Sequence, residues 1–524
     1  MKKLRLLLPL VAIATVLFSV MPAAAATPSA AGSSAVSGTS SAATSAVSSA
    51  SAPDDSWQKV QQSGKLVIGL DASFPPMGFK DANGNIVGLD IDLANEVCRR
   101  LGLQLVCQPI DWDAKDQELD TGHIDCIWNG FTITADREQN YLFTDPYLSN
   151  EQVFVVQKDS PLQSIDDLDG KRIAIQRGSS AEDAMNNDAA LKQEVTINLF
   201  SDNVTALEDV RVGQSDALLE DSVVAEYDIK NTDKDFRVLP GSLANEEYGV
   251  GFRLTDHTLR DKVNDTLAQM KADGTLQQIE SKWLAGAEVT QKPGFWQNLS
   301  NMLPQLGNGF GVTLAIFFLT LIFSIPLAAL VTWERISRVG KHSARKCVQF
   351  FGWLIRAIFR VYISIMRGTP LMLQILLVYF APPLLFGNQF SYNRFIAVII
   401  AFVLNYAAYF AEIYRGGIEA MPAGQYEAAS VLGFGRVTTF FRIILPQVFK
   451  RILPATANEV ITLVKDTSLA SIISVVELLL ISKQMEAAQS SLLPLLAAGV
   501  FYYIFNALVA FVFERTEKHL NYYR

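Results

Sequence analysis

The side chains in this chain that could do chemistry fall into two groups. In the first half they are charged and aromatic residues near strand ends, Asp71, Phe74, Trp112, Arg137 and Asp221; in the second, Lys465 and Asp466 stand side by side near an apolar run. Taken singly, each has a plain structural reading. Arg137 can pair with Asp136 or Glu138 at a solvated helix start, Asp221 can cap a helix, and Phe74 and Trp112 can fill a core. Adjacent charges near a membrane crossing are costly to bury, so Lys465 and Asp466 are expected to pair, to face a cavity or to sit at the interface. Other chemistries lack their residues. No GxxxxGK[ST] phosphate loop occurs, so ATP hydrolysis by the usual machinery is not expected of this chain. The four cysteines, Cys98, Cys107, Cys126 and Cys347, form no CxxC pair, and no metal site is expected.

One further segment has spacing that suggests a mechanical role. From Glu427 to Pro446 the chain reads EAASVLGFGRVTTFFRIILP, polar and aromatic between two apolar runs. The pattern predicts a helix-turn-helix lying flat against a membrane. Ala428 and Ala429 offer a close-packing face, Gly433 lets the chain turn, and Pro446 is expected to stop the second helix.

Composition bounds what must position these residues. At 524 residues, half of them hydrophobic, the chain is too long for one domain and too apolar to be wholly soluble. The net charge of -9 hides an asymmetry: acidic residues crowd the first half, whereas Lys and Arg gather in particular loops of the second. That distribution argues against nucleic acid as a partner. Lys2, Lys3 and Arg5, an apolar run from Leu6 to Val20 and then Ala24-Ala25-Ala26 describe a secretory signal or a retained anchor over residues 1–26. Residues 27–56 are rich in Ser, Ala, Thr and Gly and read as a disordered tether.

Residues 57–286 alternate short β-branched runs with helical patterns, which implies an α/β domain of parallel sheets, long enough for two lobes. The second lobe is expected from KRIAIQRGSS to FRVLPG; YGVGFR then returns as a strand, and two helices close the domain before Gly286. A linker and an amphipathic interfacial segment fill 287–309. From 310 to 524 an all-α transmembrane domain is predicted, with five spans near 310–332, 371–387, 395–412, 455–476 and 492–513. Prolines at 370, 382 and 383 are expected to break helices there. Arg335, Arg338, Lys341, Arg345, Lys346, Arg356, Arg360 and Arg367 would fill the loop after the first span, and Arg415, Arg436, Arg442, Lys450 and Arg451 lie around the 427–446 segment. Positive loops face the cytoplasm, which puts the α/β domain outside the cell membrane and residues 427–446 inside.

The motifs GLDASFPPMGF, VGLDIDLANEV, GFTITADR, LDGKRIAI, SDALLED and KADGTLQQIESKW, in that order, resemble the periplasmic-type binding proteins for polar amino acids. EAA with the later Gly, and the motifs YISIMRGTPLMLQ and NEVITLVKDTSLASII, resemble the permeases of ABC importers for the same substrates. The resemblance implies a fused binding protein and permease that takes arginine, lysine, ornithine, glutamine or histidine. It implies roles for particular residues. Arg137 would hold the ligand α-carboxylate bidentately with help from Thr132 and the backbone at Gly130. Asp221 would take the α-ammonium, and Gly178 and Ser179 would also reach the carboxylate. Phe74 and Trp112 would sandwich the side chain, which Asp71 would read; Gln176 stands where a glutamine-binding relative has Lys, which tilts the pocket toward cationic ligands. Cys98 and Cys107 either pair or remain buried thiols. Glu427, Ala428, Ala429 and Gly433 would couple the chain to a separate ABC ATPase at the cytoplasmic face, which alone would use ATP and Mg. Two copies of the chain would build one pathway. Two other classes use the same lobes: a ligand-gated channel, which interrupts the lobes with its pore, and a membrane-tethered sensor, which has no use for an ATPase-docking segment.

Overall fold

A computed structural model of the chain describes residues 54–284 and 295–520, except 82, 232–234, 337–345, 388–389 and 490. The expected signal and most of the tether and linker lie outside the described residues. The chain divides into two compact units, one formed by Asp54–Trp333 with Met366–Arg524, the other containing Glu334–Ile365.

The first α/β lobe starts at β1 (Lys65–Leu70), whose Leu66, Ile68 and Leu70 are fully buried. Two short strands, β2 (Ser73–Phe74) and β3 (Gly78–Lys80), form a small antiparallel sheet with β4 (Ile86–Val87). A helix at Leu89–Leu101 leads to β5 (Gln104–Pro109), then β6 (Cys126–Ile127) and β7 (Tyr141–Phe143). The chain crosses to the second lobe at β8 (Leu148–Gln157), builds β9 (Arg172–Gln176), β10 (Thr196–Phe200), β11 (Ala217–Asp221) and β12 (Phe236–Val238), and returns through β13 (Ala244–Tyr248) to β14 (Gly251–Arg253). Sheet one runs β5-β1-β6-β14-β7 and sheet two β10-β9-β11-β8-β12, with β13 also on β8. Sheet one therefore owns strands from before and after the contiguous run β8 to β13 that builds sheet two, which is the out-and-back order expected. The parallel pairs β1 with β5 and β9 with β10 put helices on both faces, and each lobe has two separate apolar clusters, one per face of its sheet. Helices His257–Ala272 and Thr275–Leu284 close lobe one as expected.

Among the described residues of the membrane half, four helices are long and apolar enough to cross a bilayer: Leu299–Ile336, Gln349–Gly368, Arg394–Glu419 and Leu493–Leu520. Several expectations change here. Residues 299–306, expected at the membrane surface, begin one continuous helix from Phe295 to Ile336; Met302 and Leu306, a turn apart, are fully buried against Leu478, Ile481 and Met485. The basic stretch expected as a loop after the first span includes the helix Lys346–Gly368, which carries Arg356, Arg360 and Arg367. The expected span at 371–387 is a helix of 16 residues, Leu371–Phe386, that runs through Pro382 and Pro383. Pro370 does break the path, and Gln374 closes the gap by donating to Met366 O and Thr369 Oγ1 at 3.0 and 2.8 Å, while Asn405 Nδ2 donates to Gln374 Oε1 at 3.0 Å.

The expected span at 455–476 also ends early, because the helix Leu445–Asp466 gives way to a 3-10 segment, Thr467–Ile473. The hydroxyls of Thr467, Ser468 and Ser471 each donate to the carbonyl three residues back, at 2.7 to 2.8 Å, and so compete with the regular ladder. Asp466 accepts from Tyr406 OH at 2.7 Å. Pro446 does not stop a helix. It occupies the first turn of Leu445–Asp466, where its missing N–H costs little, after a π-helical turn at Thr439–Ile444. The helix-turn-helix itself is present: Ala423–Val431, a left-handed turn at Gly433 with φ of 76°, and a second helix from Arg436. Ala429 is buried at 2 % exposure, whereas Ala428 faces outward.

Candidate functional site

Between the lobes a narrow cleft is lined by Asp71, Phe74, Trp112, Asn129, Gly130, Arg137, Gln176, Ser179, Ser180 and Asp221. Eight of the ten expected ligand-binding residues thus line one cleft. The other two, Thr132 and Gly178, stand behind the wall: Gly178 O accepts from Arg137 Nη2 at 3.5 Å, and Thr132 Oγ1 lies 3.1 Å from Ser180 Oγ.

The wall is set by local chain chemistry. Gly88 starts the helix Leu89–Leu101 with φ of 146°, and any Cβ there would lie 2.2 Å from Met77 O. This close approach buries Asp90 completely, and its two carboxylate oxygens accept from Gly130 N at 2.6 Å and Tyr147 OH at 2.8 Å. Asp90 thus pins the Gly130 turn from behind. Burial pushes its carboxyl up to about 7.

Arg137, 9 % exposed, lies on lobe one with its guanidinium 4.8 Å over the Phe131 ring. Nη1 donates to Thr132 O at 3.2 Å, and Nη2 to Asp183 Oδ2 of lobe two at 3.2 Å. Neither Asp136 nor Glu138 is its partner. The Ser179 hydroxyl donates to Gln176 O at 2.7 Å and caps the helix Ser180–Asn187, while Gly178 N donates to Glu182 Oε2 at 2.7 Å. Both groups are engaged within their own loop.

Asp221 faces Arg137's side of the cleft from the end of β11. It accepts from Gln152 Nε2 at 2.9 Å and from Asn150 Nδ2. Glu246, absent from the sequence reading, completes this cluster: its Oε2 accepts from Thr132 Oγ1 at 3.0 Å, Gln152 Nε2 at 2.9 Å and Asn150 Nδ2 at 3.2 Å. Burial first, then Glu246, pushes the Asp221 carboxyl up to about 7. At the other end of the cleft Gln176 Nε2 reaches Asp71 Oδ2 across the lobes at 3.5 Å, and burial raises Asp71 to about 6, with Asp202 and Asp111 adding to the shift. The cleft therefore has a cationic fork on one lobe, an acidic cluster on the other and a second acidic end beyond two aromatics. An α-amino acid needs the first two together, and the acidic end favours a cationic tip.

Lobe one is also fastened to the membrane half. Arg394 Nη2 donates to buried Glu118 Oε1 at 2.6 Å, Nη1 to Pro109 O at 2.6 Å and Nε to Tyr379 OH at 3.0 Å, and the Tyr379 ring stacks on His123 at 4.4 Å. Cys98, Cys107 and Cys126 are free thiols, and burial pushes Cys98 and Cys107 up to about 12 and 11. Among the described residues no cluster of three or more His, Cys, Asp or Glu could hold a metal ion.

Comparison with known proteins gives each half its relatives. Residues 66–286 match the family described as bacterial extracellular solute-binding proteins, family 3, and residues 343–522 match the binding-protein-dependent transport system inner membrane component. The L-cystine-binding protein TcyJ of Escherichia coli K12 is 32 % identical over 235 residues, which cover 44 % of this chain and 87 % of TcyJ. The lysine/arginine/ornithine-binding periplasmic protein of the same organism is 31 % identical, covering 41 % and 86 %. In the second half, the arginine transport system permease protein ArtQ of Bacillus subtilis 168 is 35 % identical over 219 residues, 42 % of this chain and 93 % of ArtQ. A binding domain of one kind and a permease domain of the other in one chain fit an ABC importer for polar amino acids, and both are transporter parts rather than enzymes. This chain therefore belongs to the family 3 solute-binding proteins through its first half and to the binding-protein-dependent inner membrane transport components through its second.

Proposed function

We propose that the chain captures a cationic amino acid, arginine, lysine or ornithine, outside the cell and passes it through its own membrane half, with glutamine or histidine as the runner-up ligands. The observation that carries this reading is the cleft: Arg137 on one lobe, Asp221 on the other, and Asp71 at the far end past Phe74 and Trp112. Arg137 is the group for the α-carboxylate, Asp221 with Glu246 for the α-ammonium, and Asp71 for the tip of the side chain. Names of relatives support the class, since they specify cystine, arginine or lysine/arginine/ornithine. Energy would come from a separate ABC ATPase subunit, with its ATP and Mg, docked on the Glu427 to Pro446 hairpin at the cytoplasmic face. In this reading five spans cross per chain, carried by Phe295–Ile336, Leu371–Phe386, Arg394–Glu419, Leu445–Asp466 and Leu493–Leu520, which keeps the hairpin inside, and two chains pair around one pathway. The first test is calorimetric titration of the purified chain with arginine, lysine, ornithine, glutamine, histidine and cystine. Tight binding of one basic amino acid supports the reading, and saturation by none of them contradicts it.

Asp221 makes that binding pH-dependent. In the empty cleft its carboxyl titrates at about 7, and an ammonium in contact favours the ionised form, so binding expels the proton wherever one is held. Affinity should be flat above pH 7 and fall by up to about tenfold per pH unit below it, within the range where only this group titrates. Stability of the empty chain runs with the opposite sign. Asp221, Asp90 and Asp71 hold protons that the unfolded chain releases near pH 4, so their contribution is full below that value and is lost as pH rises through about 6 to 7. The thermal midpoint of the empty chain should therefore drop between pH 5 and pH 8, and ligand should restore part of it.

A further inference from the structure

The helix Leu478–Gln489 of the membrane half lies at the mouth of the ligand cleft and touches both lobes. It packs on β2 and β3 of lobe one. Its Lys483 Nζ stands 3.2 Å from Ser201 Oγ and 3.6 Å from Asp202 Oδ2 of lobe two. Both contacts lead to the pocket wall. Phe74, which lines the cleft, ends β2; Ser201 O accepts at 3.4 Å from Gln176 Nε2, which also reaches Asp71 at 3.5 Å. Asp202 is 8 % exposed and caps the helix Asn203–Arg211 by accepting from Thr205 N at 2.8 Å. Asp71, Asp111 and Asp202 lie close enough that the charges of Asp202 and Asp111 each raise Asp71, and Lys483 lowers Asp111. The side-chain end of the cleft is thus a patch of three carboxylates, faced from the membrane half by one ammonium. Glu486, three residues along the same helix, also faces Asp202 and Glu208. Burial and those two acids push its carboxyl up to about 8, so at neutral pH it stays largely protonated and leaves the charge of Lys483 uncancelled.

We propose that Lys483 is a ligand-release residue: with the lobes closed against the membrane half, its ammonium competes with a cationic ligand side chain for the Asp71, Asp111 and Asp202 patch. Docking then weakens the hold on a basic amino acid at the point where that ligand must leave, and does little to a neutral one. The inference rests on the reading of the chain as an amino acid importer. Lys483 acts through Asp202 and its neighbours and is a positioning residue for release, not a contact of the ligand backbone.

The test is equilibrium binding of radiolabelled L-arginine and L-glutamine to the intact chain in detergent, for the unaltered protein, Lys483→Gln and Lys483→Arg. Lys483→Gln should bind arginine about 3- to 10-fold tighter, because one unit charge acting across a few ångströms of partly hydrated protein is lost. Lys483→Arg should match the unaltered protein, any glutamine affinity should be the same in all three, and the arginine gap should shrink in about 0.5 M salt. Equal or weaker arginine binding by Lys483→Gln, a gap that salt does not reduce, or equal shifts for both ligands would overturn the proposal. So would a chain that binds glutamine and not arginine, since no cationic tip would then compete. If the unaltered chain binds no amino acid in the wider panel, the importer reading itself fails and takes this inference with it.

Discussion

Arg137→Ala should weaken amino acid binding by roughly two to three orders of magnitude, about 3 to 4 kcal/mol. The side chain is 9 % exposed and its fork is already aimed by Thr132 O, Gly178 O and the Phe131 ring. A ligand carboxylate that enters the cleft without that fork is desolvated and unpaired, and this accounts for most of the loss. Arg137→Lys keeps the charge but not the two-pronged geometry and should fall between the two. Because Arg137 also pairs with Asp183 across the lobes, the thermal midpoint of each variant should be recorded beside its Kd, so that a folding defect is not read as a binding one. An Arg137→Ala chain that folds normally and binds as well as the unaltered one would remove the carboxylate assignment.

Leu432→Asp should leave ligand binding unchanged and lower ATP-driven uptake by at least about tenfold. Val431, Leu432 and Val437 are 88, 73 and 72 % exposed around the Gly433 turn, with Phe434 and Phe441 also open. Such a cluster of large apolar side chains is expensive to leave in water, which suits it to the proposed contact with the ATPase. At 73 % exposure Leu432 makes little contribution to the fold of its own chain, so a carboxylate there acts on the partner. Uptake and ATPase co-purification should fall together. Normal uptake with Asp at 432 would mean that the ATPase docks elsewhere.

The sequence made the α/β half far more legible than the membrane half, for physical reasons. Strand and helix periods differ sharply, so β1, β9 and the two closing helices follow from local pattern, and the out-and-back crossing follows from the return of YGVGFR as β14. Asp71 follows β1, Asp221 ends β11 and Arg137 opens a 3-10 turn before β7; their roles are legible through the order of the binding-protein motifs they belong to, not from charge alone. Glu246 was not visible, because NEEY on β13 reads as an ordinary solvated edge; only its pairing with β8 beside Asn150 and Gln152 turns it inward. Asn129 and Ser180 neighbour Gly130 and Ser179 and carry no charge that would single them out in the sequence. In the membrane half, hydropathy reports burial in lipid or protein alike. It therefore missed the continuity of Phe295–Ile336, where Met302 and Leu306 are covered by protein, and the early end at Asp466, where hydroxyls take over the backbone carbonyls. Lys483 was invisible for a different reason: its meaning depends on Asp202, distant in sequence.

The measurement that tests the central claim most directly is uptake of radiolabelled L-arginine into proteoliposomes holding the full chain and its co-purified ATPase. An importer accumulates arginine above the outside concentration, requires ATP hydrolysis to do so, and loses the accumulation in Arg137→Ala. Arginine-triggered ion flux without ATP, or equilibration with no dependence on ATP, would contradict that claim.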